Sequence, residues 1–355
     1  MKGVVLLKIM YVEIGISGHR IPYLNALTSN TENEVVAILP EKTKKVKCKQ
    51  YICGFNNDNR TFSTHKRWIA EIYEVAKKEN PDIIHFLTGD VFYRFFGFGL
   101  SKFKKIKTIL TFHSVKTSFL QKISLKLISK LSNIMVFHSE FMKNQAESFG
   151  IKTAYHIEYP VFGGEKCNET EAREYFNLKS DVPVISCIGG TRYDKGLDIL
   201  LEALKNVEKP FQLLVAGKEE YFKEEYIKEQ TAFYSDNVHL ALKFLTDEEL
   251  MYAMNATDII VLPYRKVFNG ASGPLGEGVA LGKCIVGPDH GNLKDTIEKN
   301  HLGCTFEGEN STSLADVLTT ILKKEFVLGE TYSEYQKSLN LDAFKDSYKN
   351  LYSFC

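Results

Sequence analysis

No run of about 18 apolar residues occurs anywhere in the sequence, so no segment reads as a membrane-crossing helix. The opening Met1-Lys2 with Gly3-Val4-Val5-Leu6-Leu7 has one basic residue, a short apolar core and no small-residue cleavage site. It reads as a first strand rather than a signal peptide. Paired cysteines are lacking too. The seven (Cys48, Cys53, Cys167, Cys187, Cys284, Cys304, Cys355) are odd in number and scattered, with neither a CxxC pair nor zinc spacing. They read as free thiols in a reducing cytosol. Internal repeats, low-complexity tracts and recognisable nucleic-acid-binding modules are absent, so nucleic acid is not an expected partner. A GxGxxG fingerprint is missing, which weakens a dinucleotide-binding reading.

What is present is globular in character. Hydrophobic residues make up 44% and charged residues 25% of the 355, enough chain for two cores. Net charge is only +1, but it is unevenly spread. Residues 1–160 hold 24 Lys and Arg against 13 Asp and Glu, leaving 21 against 31 for the rest. A basic first half suits a partner of opposite sign.

Strand and helix patterns alternate throughout, which predicts α/β domains with parallel sheets. Predicted strands fall at 4–12, 35–39, 82–86, 108–111, 134–137 and 155–157. Predicted helices fall at 21–28, 68–78, 120–131 and 141–149. A polar linker, 163–168, separates this half from a second series. There, strands are predicted at 184–187, 212–216, 238–240, 258–262 and 284–286. Helices are predicted at 196–206, 219–232, 247–255 (with Thr246 as N-cap), 273–281 and 293–298. A terminal helix is predicted over 333–355. The expected domains are therefore 1–162 and 163–332, with 333–355 returning to the first. Each is doubly wound, and two such domains enclose a cleft.

Two segments of the second half carry charge and glycine in a chemically suggestive order. Gly189-Gly190-Thr191-Arg192-Tyr193-Asp194-Lys195-Gly196 follows a predicted strand and opens a helix. Glycines admit close backbone approach, a helix N-terminus favours anions, and Arg192 and Lys195 add donors. This combination suits a diphosphate. The second segment runs Leu262-Pro263-Tyr264-Arg265, then Asn269-Gly270-Ala271-Ser272-Gly273-Pro274-Leu275-Gly276-Glu277. Ser272, Gly273 and adjacent amides suit phosphate or sugar oxygens. Glu277 suits a ribose diol, or simply compensates the helix N-terminus.

With these segments in place, the chain resembles the retaining glycosyltransferases of family 4, with the GT-B architecture. The resemblance extends over nearly the whole length and is clearest over 184–303. Gly196-Leu197-Asp198-Ile199-Leu200-Leu201-Glu202-Ala203 is similar to the family's KGxDxLLEA stretch. The run 244–263 is similar to its dEELxxxxxxADxxxLPS motif. Gly282-Lys283-Cys284-Ile285-Val286, with Gly291 and Gly303, resembles GxPVVxxxxGGxxE…xG. The resemblance implies that Gly190, Arg192 and Lys195 meet the donor diphosphate and that Glu277, the second glutamate of the EX7E motif, holds the ribose. Asn269 stands where the first glutamate belongs, against the donor sugar. Arg192 lies three residues before Lys195, where the family often has Arg five before. In the first half, Gly15-Ile16-Ser17-Gly18-His19 resembles the family's glycine loop. That likeness implies donor-phosphate contacts for Gly15 and Gly18 and an acceptor contact for His19. His113 resembles the histidine that contacts the donor sugar, and Ser139 matches a recurrent serine or simply caps a helix. His85, between Ile84 and Phe86, reads as a near-core residue.

Lys102, Lys104, Lys105, Lys107, Lys116, Lys122, Lys126 and Lys130 surround Leu120, Ile123, Leu127 and Leu131. Two readings stand open: a basic amphipathic face that rests on anionic lipid, or a core-facing helix with a solvated back.

The implied activity is transfer of a sugar from a UDP- or GDP-linked donor to a hydroxyl acceptor with retention. No metal or other cofactor is expected, and no DxD pair stands at a suitable place. A lipid-linked glycan in surface polysaccharide or glycolipid assembly is the expected acceptor. The expected location is the cytoplasm, peripheral to the inner membrane face. A nucleotide-sugar epimerase and a non-catalytic partner subunit on the same scaffold are the alternatives.

Overall fold

The computed structural model describes the chain except residues 1–5, 30, 55–59, 164, 269, 271, 324–326, 328 and 355.

In chain order the elements are β1 (Lys8–Val12), α1 (Arg20–Thr28), β2 (Glu34–Leu39), β3 (Lys49–Ile52), α2 (Phe62–Glu79), β4 (Ile83–Phe86) and β5 (Lys107–Phe112). There follow α3 (Phe119–Leu131), β6 (Ile134–Phe137), α4 (Glu140–Ser148), β7 (Ala154–His156), α5 (Glu169–Tyr175), β8 (Val184–Ile188) and α6 (Leu197–Leu204). Next come β9 (Gln212–Ala216), α7 (Glu224–Thr231), β10 (Val238–Ala241), α8 (Asp247–Asn255), β11 (Ile259–Val261) and α9 (Gly273–Ala280). The chain closes with β12 (Cys284–Pro288), α10 (Gly291–Lys299), β13 (Gly303–Phe306), α11 (Ser311–Ile321), α12 (Glu330–Ser338) and α13 (Leu341–Ser353). Two units result: one runs to Phe162 and resumes at Leu341, the other spans Gly163–Asn340.

The first unit is a parallel sheet in the order β3-β2-β1-β4-β5-β6-β7. Its central strands are apolar on both faces because helices cover both. On one face Trp68, Ile69 and Ile72 of α2 pack with Phe86, Phe103, Phe112 and Phe137. On the other lie α1 and α13, through Tyr23, Leu24, Phe344, Tyr348 and Tyr352. Positions 344, 348, 351 and 352 follow the helical period, so α13 buries one stripe. Its hydroxyls are tied down as well. Tyr348 meets Tyr23 at 2.7 Å and Thr111 at 3.0 Å, and Tyr352 meets His85 Nδ1 at 2.8 Å. His85 is fully buried, as its neighbours predict, and burial pushes its imidazole down to about 3.

The second unit is a parallel sheet in the order β10-β9-β8-β11-β12-β13. Its core joins Leu200 and Leu204 of α6 to Leu213, Val261 and Val286 of the strands and Leu314 and Leu318 of α11. Residues 333–340, expected with the terminal helix, pack here instead. Tyr332 donates to the Lys283 carbonyl at 2.8 Å, and Gln336 Nε2 donates to the Val279 and Ala280 carbonyls. Thr246 caps α8 with Glu249 completing the reciprocal box, and Ser139 caps α4.

Helix α3 departs from the core-facing reading. Ser124, Leu125 and Ile128 are its buried residues, while Leu120, Ile123, Leu127 and Leu131 are exposed. Among the described residues no helix is long and apolar enough to cross a membrane.

Candidate functional site

In a doubly wound sheet the ligand crevice lies beyond the carboxyl ends of the strands, where the order reverses. In the second unit that point is between β8 and β11. The loops leaving these strands are the two segments singled out by sequence. Between β8 and α6 the chain takes a tight course: Gly189 has φ +120° and Gly196 has φ +63°. A Cβ on Gly189 would sit 2.7 Å from Lys195 Nζ, and one on Gly196 would sit 2.1 Å from the Pro263 carbonyl oxygen. Glycine is thus what lets the Lys195 ammonium fold back over its own loop and lets that loop touch the one after β11.

Lys195 Nζ donates to the Tyr264 hydroxyl at 3.1 Å, and that hydroxyl lies 3.3 Å from Ser272 Oγ. Ser272 caps α9, accepting from Leu275 N at 3.4 Å, and Gly273 opens the helix with free space where a Cβ would project. Lys195, Tyr264 and Ser272 therefore form one chain of contacts ending at a helix N-terminus, an arrangement suited to an anion. Glu277 lies one turn further along α9. It is 7% exposed, and no described group hydrogen-bonds its carboxyl. Burial, with Asp247 adding to it and Lys195 opposing, pushes this carboxyl up to about 7. A buried carboxylate that meets no donor among the described residues is suited to receive donors from a ligand.

Arg192 is half exposed and is held by Asp194, with Nε and Nη2 donating at 2.9 and 2.8 Å. That bond holds the Asp194 carboxyl below its usual range. Gly190 leaves room for the Glu220 carboxylate, which would stand 2.9 Å from a Cβ there. Asn269 lies outside the described residues. Arg265, paired with Asp198 at 2.7 Å, stacks on the Tyr193 ring at 4.2 Å and braces the loop from behind.

The first unit reverses its order between β1 and β4, and a cavity of about 220 Å³ opens there. Glu13, Ser17, His19, Arg20, His113 and Tyr159 are among its lining residues. His113 Nε2 lies 2.8 Å from the Leu87 carbonyl, which makes it the donor and leaves Nδ1 as the acceptor of the neutral ring. Its backbone N–H donates to Asp90 Oδ2 at 2.8 Å. His19 stacks on Phe162 at 5.9 Å. Gly18 adopts φ +59°, and Gly15 makes room for Arg20, whose Cδ would stand 2.9 Å from a Cβ. Behind these, Arg20 pairs with the buried Glu13 and also donates to Thr88 at 2.9 Å. Glu13, Arg20 and Tyr264 were given no role from sequence. The one signal available was position: Glu13 directly follows β1, and Tyr264 follows β11 by three residues.

Residues 168–339 match the family model described as glycosyl transferases group 1. Over 195 residues the chain is 26% identical to granule-bound starch synthase 2 of Pisum sativum, covering 52% of this chain and 24% of that protein. The chain spans less than a third of the length of the curated relatives it matches. HepE of Anabaena, solved with UDP and glucose, matches with a TM-score of 0.77 at 13% identity, covering 98% of this chain and 100% of that one. A glycosyltransferase of Rickettsia africae matches with a TM-score of 0.76 at 19% identity, covering 98% of each chain. The chain thus has the fold of the GT-B glycosyltransferases, and its second unit is related to the glycosyl transferases of group 1.

Proposed function

We propose that this protein is a glycosyltransferase that moves a sugar from a nucleotide donor to a hydroxyl acceptor with retention of configuration. The observation that carries this reading is the grouping of Lys195, Tyr264, Ser272 and Glu277, whose carboxyl meets no donor among the described residues, around the N-terminus of α9. Lys195, Gly190 and the amides of Ser272 and Gly273 would receive the diphosphate, and Glu277 the ribose diol. Arg192 would exchange Asp194 for phosphate oxygens as the donor arrives. Similarity to a protein solved with UDP and glucose favours a UDP-linked hexose.

In this reading the leaving diphosphate gathers negative charge while the sugar becomes oxocarbenium-like. Fixed positive charge at Lys195 and the α9 N-terminus stabilises that state. Attack comes from the face the diphosphate leaves, and a phosphate oxygen takes the acceptor's proton. His113 would orient the sugar, with His19 and the glycine loop of Gly15 and Gly18 meeting the acceptor and phosphate. A lipid-linked glycan in surface polysaccharide or glycolipid assembly fits as acceptor.

The test is a panel of nucleotides and nucleotide sugars scored by thermal stabilisation of wild type and Lys195→Ala. A ligand at about 100 times its Kd adds about 2.7 kcal/mol to the folded state. Stabilisation by one base family, lost in Lys195→Ala, is the expected result. Equal stabilisation of both proteins would remove Lys195 from the site. A product mass of acceptor plus sugar separates transfer from epimerisation.

A further inference from the structure

Residues 91–139 carry nine Lys and Arg and no Asp or Glu. Helix α3 lies within this stretch. At about 100° per residue, its buried positions 124, 125 and 128 occupy one arc, and Phe119, Leu120, Ile123, Leu127 and Leu131 an adjoining arc about 120° wide. That second arc faces solvent: Phe119 is 77% exposed, Leu120 62% and Leu127 40%. The apolar surface of α3 is therefore about twice what the core uses. On the far side of the arc Lys122, Lys126 and Lys130 form a row four residues apart. Among the described residues none of these three meets a carboxylate, and Lys122 rests over the Phe149 ring at 4.6 Å. Phe96, 40% exposed, continues the patch, since the backbone at Gly97 abuts Ile128 and Leu131.

We propose that this face docks on an anionic lipid bilayer. Exposed apolar side chains on one arc and unpaired ammonium groups beside them match the two layers of such a surface, acyl chains below and phosphates above. A protein partner of ordinary composition answers only the apolar half, and nothing acidic in this stretch offsets the charge. Because α3 leads from β5 back to the start of β6, its first residues lie at the carboxyl end of the sheet, the end that holds His113 and the cavity. A lipid-linked acceptor would then be delivered to that end. Only this last link rests on the transferase reading; the docking surface does not.

The experiment is co-sedimentation of the full chain with phosphatidylcholine vesicles, with and without phosphatidylglycerol. Wild type should sediment with the anionic vesicles and be released by salt. Lys126→Gln with Lys130→Gln should weaken binding about fivefold for each charge lost, so about 25-fold together. Leu120→Ser with Leu127→Ser should also release it. All four positions are exposed, so melting temperatures should stay near wild type, and nucleotide-induced stabilisation should be unchanged. Wild type left in the supernatant, equal binding to neutral vesicles, or variants that bind as wild type would each overturn the proposal. So would a concentration-dependent dimer that Leu120→Ser with Leu127→Ser dissolves, which would assign the face to a second copy of the chain.

Discussion

Replacing Glu277 by Gln should stabilise the protein strongly at pH 8 and by no more than about 1 kcal/mol at pH 5. The carboxyl is 7% exposed and pushed up to about 7 from 4.5. A raised carboxyl holds its proton longer in the folded state than in the unfolded one. Its contribution to stability is therefore present below the unfolded pKa and lost as pH rises from 4.5 through 7. At about 1.4 kcal/mol per unit, the shift corresponds to about 3.5 kcal/mol in full, of which about 2.5 kcal/mol falls between pH 5 and pH 8. Glutamine has the shape of the neutral acid and does not titrate. The assay is urea unfolding of both proteins at the two pH values, and the difference between them cancels every other titrating group. A nucleotide sugar, whose diphosphate does not titrate in this range, should bind wild type more tightly above pH 7, because ribose hydroxyls donate to the carboxylate. It should bind Glu277→Gln without that pH dependence. Parallel stability profiles for the two proteins would refute the burial argument. A pH-independent affinity for wild type would refute the ribose assignment.

Two further outcomes follow from the geometry. Gly196→Ala should lower the melting temperature: the left-handed backbone alone costs about 1–2 kcal/mol, and the new Cβ meets the Pro263 carbonyl as well. An unchanged melt would mean that the two loops do not touch there. Tyr348→Phe removes hydroxyl contacts to Tyr23 and Thr111 and should cost about 1–3 kcal/mol in urea unfolding, a loss that would be absent if α13 were held by apolar packing alone.

The parts legible in the sequence are those where local pattern and tertiary role agree. Strands buried on both faces read as apolar runs, and caps such as Thr246 and Ser139 read directly, because their bonds span three residues. The loop bearing Lys195 was legible for the same reason: glycine, charge and a helix start are adjacent in sequence. What stayed hidden depends on partners far apart. Tyr264 matters because it lies against Lys195, 69 positions away, and Arg20 because it reaches Thr88, 68 away. Strand β3 is half exposed and polar, without the alternation that marks an edge strand. Helix α11 is the exception, because its signal is local: Asn310 caps it, and Leu314, Val317, Leu318 and Ile321 follow the helical period that its core contacts require.

Helix α3 shows the limit most clearly. Its periodicity gives the width of the apolar surface but not which part of it the sheet will cover. The sheet claims Leu125 and Ile128, and the stripe that spacing alone would assign to the core is left facing water. An apolar arc of that width is costly on a monomeric surface unless something covers it. The row of lysines beside it, none of which meets a carboxylate among the described residues, limits what that something can be, and so the same helix that misleads a pattern reading becomes the part of the fold most informative about where the protein works.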